Sequence, residues 1–466
     1  MIKLETVQAI RAQRVITPEG ERAATVVFAN GVITDILPVD AAIAVPVTEL
    51  EHAVLMPGLV DTHVHINEPG RTDWEGFDTA THAAAAGGIT TLVDMPLNCI
   101  PVTTTAEALA TKLAEVVGKL WVDCGYWGGA IPQNLADLPA LLEAGVLGVK
   151  SFTIHSGIDE FPAVSESDLK AAMRILARYG LPYLIHAELD QGQVPNPAIG
   201  RSYQHFLHSR PRVWENDAIA MVIKVMRELT AEGLTPRAHI VHLSSSDALP
   251  LLQAARVEGL KLTAETCPHY LTLFAETIPD GITLFKCCPP IRENENRERL
   301  WQALQEGLID MIVSDHSPCT PQLKLMESGD LENAWGGISA LQFGLPLIWT
   351  EGQKRGFTLT DLARLMCERP AAIAGIANKG KLAVGYAADF CVFDDKASVT
   401  ISAAIIKHKH KISPYIGHTV SGQVLQTWLA GVPIFADDHY LGSARGRSLL
   451  RPNTPLPVSS SSPSTH

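Results

Sequence analysis

Eight short apolar runs, spread between residues 58 and 318, most constrain what this chain can fold into. They are GLVDTHVH (58–65), ITTLVDMPL (89–97), LWVDCGYWG (120–128), GVLGVKSFT (145–153), YLIHAEL (183–189), HIVHLSS (239–245), LTAETCPHYL (262–271) and DMIVSDHSP (310–318). Between them lie stretches of helical texture, such as TTAEALATKLAEVVGKL, SESDLKAAMRILARYG and ENRERLWQALQEGL. The second opens on a Ser-x-x-Asp pattern that fits a helix N-cap. The third carries apolar residues at helical spacing. Strand followed by helix, eight times over, predicts a (β/α)8 barrel of the TIM type across residues 57–378.

What flanks the barrel has a different texture. Residues 1–56 alternate apolar and polar in short pieces punctuated by turn residues, the mark of a small β module. GKLAVGYAADFCVFD and VLQTWLAGVPIF return to that texture, so residues 379–445 are expected to complete the same β-sandwich-like module from the other terminus. The end of the chain, RPNTPLPVSSSSPSTH, is rich in Ser and Pro, and residues 446–466 are expected to be a disordered tail. Size and composition agree: 466 residues, 46% hydrophobic, with 35 glycines, suit an α/β protein with a large core. The net charge of -13 argues against nucleic acid and anionic membranes as partners. No apolar span reaches transmembrane length, and MIKLETVQAIRAQRVITPEG lacks the apolar centre of a signal peptide. Eight cysteines without a Cys-x-x-Cys pair point to a reducing cytosol.

In such a barrel the chemistry gathers at the C-terminal ends of the strands. The polar residues there are His63, His65, Lys150, His186, His239, His242, Asp315 and His316. Positions i and i+2 on a strand share a face, so His63 and His65 both point to the barrel axis. Two adjacent neutral imidazoles are natural metal ligands, although a lone His-x-His also occurs as a buried, hydrogen-bonded pair. With His186, His242 and Asp315 on other strand ends, a metal site is the better reading. His239 and His242 are three apart and are not expected both to point inward; His242, nearer the strand end, is preferred, and His239 is expected to be structural. His316 is expected to turn away from the axis. Lys150 has two readings. It can meet a substrate carboxylate or solvent as a cation. Alternatively, burial and a neighbouring metal keep the amine neutral, and it takes up carbon dioxide to become a carboxylate that bridges two metals. Asp315 suits the general base, since a carboxylate beside activated water can take its proton and pass it on.

With these residues in hand, the chain resembles the amidohydrolase superfamily in its cyclic-amidase branch. The resemblance runs from PGLVDTHVHINEPGRTDWEGFDTATHAAAAGGITTLVDMPLN through VKSF, LIHAE, HIVHLSSSDAL, AETCPHYL, KCCPPIRENENRERLW and IVSDHSPC to NAWGGISALQ. It implies that His63, His65, Lys150 as a carbamate and Asp315 hold one metal, and that Lys150, His186 and His242 hold the other. Two zinc ions per subunit and a homotetramer follow from the same resemblance. Within the branch, NEPGR, DMPLN and NAWGGI are similar to the members that open allantoin to allantoate in ureide breakdown, and that reaction is the expectation here. Dihydroorotases typically carry an arginine two residues after the His-x-His pair; this chain has Asn67. Hydantoinases and dihydropyrimidinases typically carry a tyrosine five residues after the carbamylated lysine; this chain has His155, a departure.

Asn67 is expected to contact the substrate, and the backbone around Cys287, Cys288 and Asn333 to grip the ring. Structural roles for these loop residues are the alternative. Arg71 and Arg292 could reach the site or serve as ordinary surface charge. The cysteine pair reads as small buried side chains rather than thiol ligands. A hydantoinase or dihydropyrimidinase is the nearest rival function, dihydroorotase a weaker one. A non-catalytic scaffold is disfavoured because all six ligand positions are filled. Residues 189–211 and 318–335 are long enough to close over the mouth.

Overall fold

The computed structural model describes residues 7–192 and 198–452. Runs that are apolar on both faces form parallel strands only where helices cover them, and that is how the eight runs fold. The barrel strands are Leu59–Val64, Ile89–Asp94, Asp123–Tyr126, Val149–Phe152, Pro182–His186, Arg237–Ile240, Lys261–Thr266 and Met311–Ile312. The first three pair in parallel, as do the last five. The third and fourth are joined through Leu147, whose N–H donates to Tyr126 O at 3.0 Å. The ring closes where His65 N–H donates to His316 O at 2.8 Å, beside a parallel bridge from Val64 to His316.

The covering helices are amphipathic for identifiable reasons. Glu166–Tyr179 starts at Ser165, whose side chain accepts from Asp168 N while Asp168 accepts from Ser165 N, a reciprocal cap. It stops at Gly180, which adopts φ 66°, a conformation that favours glycine. Its inner face buries Leu169, Ala172, Met173 and Leu176. The stretch ENRERLWQALQEGL likewise becomes the helix Asn294–Gln305, burying Leu300, Trp301 and Leu304.

Both ends of the chain build one nine-stranded sheet beside the barrel. The N-terminal part supplies Gln8–Thr17, Gly20–Ala29, Val32–Leu37, Val47–Leu50 and Val54–Pro57; the C-terminal part supplies Phe390–Thr400, Thr419–Leu429, Val432–Ala436 and His439–Tyr440. The halves join where Val54–Pro57 runs antiparallel to Phe390–Phe393. Ile10, Val26, Phe28, Leu55, Phe390 and Trp428 pack in its core.

The expected disordered tail starts too early at 446. Ser448 and Leu449 pair in parallel with Cys124 and Gly125 on the third barrel strand, and Arg447 O accepts from Cys124 N at 2.9 Å. That edge is left unpaired by the irregular junction between the third and fourth strands, and an unpaired buried edge needs partners. Residues 453–466 lie outside the described residues.

Candidate active site

Six side chains converge at the C-terminal mouth of the barrel. His63 Nε2 lies 3.2 Å from Asp315 Oδ1 and His65 Nε2 lies 3.6 Å from the same oxygen. One donor atom from each of His63, His65 and Asp315 falls within 4.8 Å of the others. His186 and His242 stand opposite, with ring centroids 4.6 Å apart, and His242 lies 5.4 Å from His63. Lys150 is buried beside them, 1% exposed, its Nζ 5.0 Å from the centre of the Phe152 ring.

Alternation explains the His63–His65 pair but not His242. The sixth strand ends at Ile240, and His242 adopts φ 38°; Asp315, beyond the eighth strand, adopts φ 45°. These left-handed turns redirect both side chains into the mouth. The expectation that His239 and His242 cannot both face inward is therefore corrected. His239 is inside the barrel, its Nε2 2.9 Å from Glu265 Oε2 and its Nδ1 2.8 Å from Thr263 Oγ1. The other Glu265 oxygen takes His63 Nδ1. His316 does turn away: its Nδ1 accepts from Ala340 N at 3.2 Å and its Nε2 faces Glu75.

The electrostatics favour a cation that the side chains do not themselves supply. Burial, and then neighbouring cationic groups, holds His65 and His242 well below the usual imidazole range. Burial lowers His186 to about 4, although Glu188 opposes this. Burial likewise pushes Lys150 down to about 7, against the pull of Glu265 and Asp315. Desolvation raises Asp315, while His63 and Lys150 restrain it. Glu265 and Glu188 lie far below their ordinary range: burial would raise both, but His63 and His239 outweigh it at Glu265, and Arg210 and His186 at Glu188. Neutral imidazoles, one carboxylate and a buried His242 Nδ1 with no protein partner are the donors a divalent metal takes. The residues fit such an ion.

Above this floor opens a cavity of about 700 Å³. Phe152, Trp214 and Trp335 form apolar walls, while Asn98, His155, Arg210 and Lys286 add polar groups. Cys287, Cys288 and Asn333 line it. Burial raises both thiols, so they stay protonated and read as small side chains rather than ligands. The Asn333 amide donates to Asp330 Oδ2 at 2.7 Å.

Asn67 requires a correction. It is 1% exposed, does not line the cavity, and donates to Pro318 O at 3.1 Å. A left-handed φ of 67° turns it beneath the mouth. His155 is exposed at the rim, its Nδ1 accepting from Gly157 N at 3.1 Å. Arg71 pairs with Glu160 and covers Trp74; buried Arg292 pairs with Glu215; neither lines the cavity. Of the two segments long enough to close, 318–335 contributes Asn333 and Trp335, and 189–211 contributes Asp190 and Arg210; residues 193–197 lie outside the described residues.

Sequence reasoning missed Glu265, Glu188 and Asn98. Glu188 accepts from His186 Nε2 at 2.7 Å, and Asn98 Nδ2 lies 3.4 Å from His65 Nδ1. The one available signal was spacing: Glu188 stands two residues after His186, on the same side. Among the described residues no helix is long and apolar enough to cross a membrane.

Residues 54–434 match the Amidohydrolase family. The chain is 49% identical to an allantoinase of Streptomyces avermitilis, over 95% of this chain and 98% of that protein. It is 43% identical to an allantoinase of Saccharomyces cerevisiae, over 92% and 96%, and 44% identical to one of Arabidopsis thaliana, over 94% and 90%. Among solved structures, the L-hydantoinase (dihydropyrimidinase) of Arthrobacter aurescens superposes with a TM-score of 0.87 at 29% identity, covering 95% of this chain and 99% of that one.

Proposed function

The chain belongs to the amidohydrolase family, and from that premise we propose that it opens the ring of allantoin by hydrolysis to give allantoate, a step of purine ureide breakdown. The observation that carries this is full-length identity of 43–49% to allantoinases of a bacterium, a yeast and a plant. The hydantoinase structure shares the fold at 29%, so hydantoin or a dihydropyrimidine is the second reading.

His63, His65, Lys150 as its carbamate and Asp315 would hold one divalent ion; Lys150, His186 and His242 would hold the other. Their convergence supports this set, and neutral nitrogen donors with carboxylates suit zinc. Two such ions, when bound, supply Lewis acidity toward the ring carbonyl and a more acidic water. The protein does the rest. The neutral Lys150 amine forms an N–C bond to carbon dioxide and loses a proton, leaving a carboxylate where an ammonium would repel cations. Glu265 and Glu188 accept the outer N–H of His63 and His186 and so aim the opposite ring nitrogens. Asp315, made more basic by burial, takes the proton of the attacking water and delivers it to the departing ring nitrogen. Phe152, Trp214 and Trp335, which wall the cavity, would exclude bulk water, and the backbone near Cys288 and Asn333 would grip the ring.

The eight cysteines, all free among the described residues, support a cytosolic enzyme. The resemblance noted above supports a homotetramer, which sedimentation would verify. The deciding assay is allantoate release from racemic allantoin by zinc-loaded protein in bicarbonate, against hydantoin and dihydrouracil. We expect rapid release from allantoin alone, abolished by Lys150→Ala. Preferred turnover of hydantoin or dihydrouracil would move the substrate to the second reading.

A further inference from the structure

Two ligands on opposite sides of the centre each rest on a buried carboxylate, but the carboxylates are mounted differently. Glu265 sits in the seventh strand and bridges His63 and His239, the latter at 2.9 Å. Every member of that group comes from a barrel strand. Glu188 lies beyond the end of the fifth strand, fully buried, with Oε2 2.7 Å from His186 Nε2. With the Nε2 proton committed there, Nδ1 is the nitrogen left for an ion. Thr153 fixes the main chain at this point, its hydroxyl donating to Glu188 O at 2.8 Å. The side chain is held from elsewhere. Arg210 Nε reaches Glu188 Oε1 at 3.1 Å, and Nη2 binds Oε2. Arg210 is not on a strand; it follows the short helix Tyr203–Ser209 and lines the cavity.

We propose that Arg210 is a positioning residue for one half of the centre: by forking Glu188 it fixes the tautomer and aim of His186, and so sets the affinity of the ion shared by His186 and His242. The inference rests on the ligand set proposed above. Without Arg210 the buried Glu188 side chain keeps only His186 Nε2 as a hydrogen-bond partner and is no longer held in place by the fork. A carboxylate free to turn no longer fixes the His186 ring. The His63 half keeps its strand-borne support. Orienting partners of metal-bound histidines are worth about 10–100-fold in metal affinity.

The test is titration of metal-free protein with cobalt(II) in bicarbonate, read by visible absorbance and by chelator competition, with circular dichroism as the check on folding. Wild type is expected to bind two ions. Arg210→Met is expected to bind one of them about 10–100-fold more weakly and the other unchanged. Arg210→Lys keeps the charge but loses the fork, and is expected to fall between; it decides the matter if the methionine variant does not fold. Wild-type affinity for both ions in the variant that decides, or equal weakening of both, would overturn the inference. A wild type that binds fewer than two ions overturns the ligand set and this inference with it. Turnover of allantoin by the wild type tests the ring-opening reading separately.

Discussion

An ammonium at position 150 would stand near His65, His186 and His242 and, among the described residues, makes no ion pair with a carboxylate. Burial accordingly lowers its pKa to about 7. The neutral amine, which alone reacts with carbon dioxide, is the minor form below pH 7 and the major form above it. Metal-free protein given zinc at constant dissolved carbon dioxide should regain activity about tenfold faster at pH 8 than at pH 6, the ratio of neutral amine for such a group. A rate independent of pH across that range would show that the lysine does not gate assembly.

At the scale of elements, the helix Glu166–Tyr179 shows how local signals work when nothing competes with them. Ser165 and Asp168 cap it and Gly180 ends it, all visible in the string SESDLKAAMRILARYG. Ser165→Ala should cost about 1 kcal/mol, read as a lower urea midpoint with unchanged turnover. A shift in turnover without loss of stability would contradict a purely capping role. The barrel itself was legible for the same reason: its strands are apolar on both faces, and apolar runs show in sequence. His63 and His65 were legible because the first strand stays regular through Val64. His242 and Asp315 were found by position, but their left-handed backbone lies beyond strand logic, and so His239 and His242 were wrongly expected not to face inward together, although the structural role expected of His239 agrees with its bonds to Thr263 and Glu265. Asn67 was misjudged for the same reason. Glu265 stood in plain view within AETC, yet its partners His63 and His239 come from two other strands. Only barrel closure decides which residues of distant strands meet.

At the scale of the molecule, one lysine joins three parts. Lys379 Nζ lies 2.7 Å from Asp123 Oδ2 in the third barrel strand and also binds Asp389, just before the strand Phe390–Thr400. Asp389 Oδ1 accepts from Ala430 N in the sheet, and Asp123 Oδ1 from Arg447 N in the C-terminal segment, each at 2.8 Å. All three side chains are buried. Lys379→Met would leave two carboxylates inside without a counter-charge, a loss of about 3–5 kcal/mol. Faster hydrogen exchange at Phe390–Phe393 and Cys124–Gly125 together would mark the joint. Unaltered exchange at both would show that the lysine contributes nothing to docking.

The sheet shared by both ends also sets the order in which the protein can be completed during translation. On one side strand Val54–Pro57 has its neighbour in Gln8–Thr17, but on the other it finds it in Phe390–Phe393, and residues 58–389 must leave the ribosome in between. At usual elongation rates that interval is on the order of tens of seconds. For that time the nascent chain carries an open strand edge, of the kind that recruits other chains. The barrel strands emerge while the sheet waits for its last partners, so the aggregation risk of synthesis is concentrated in the N-terminal strands.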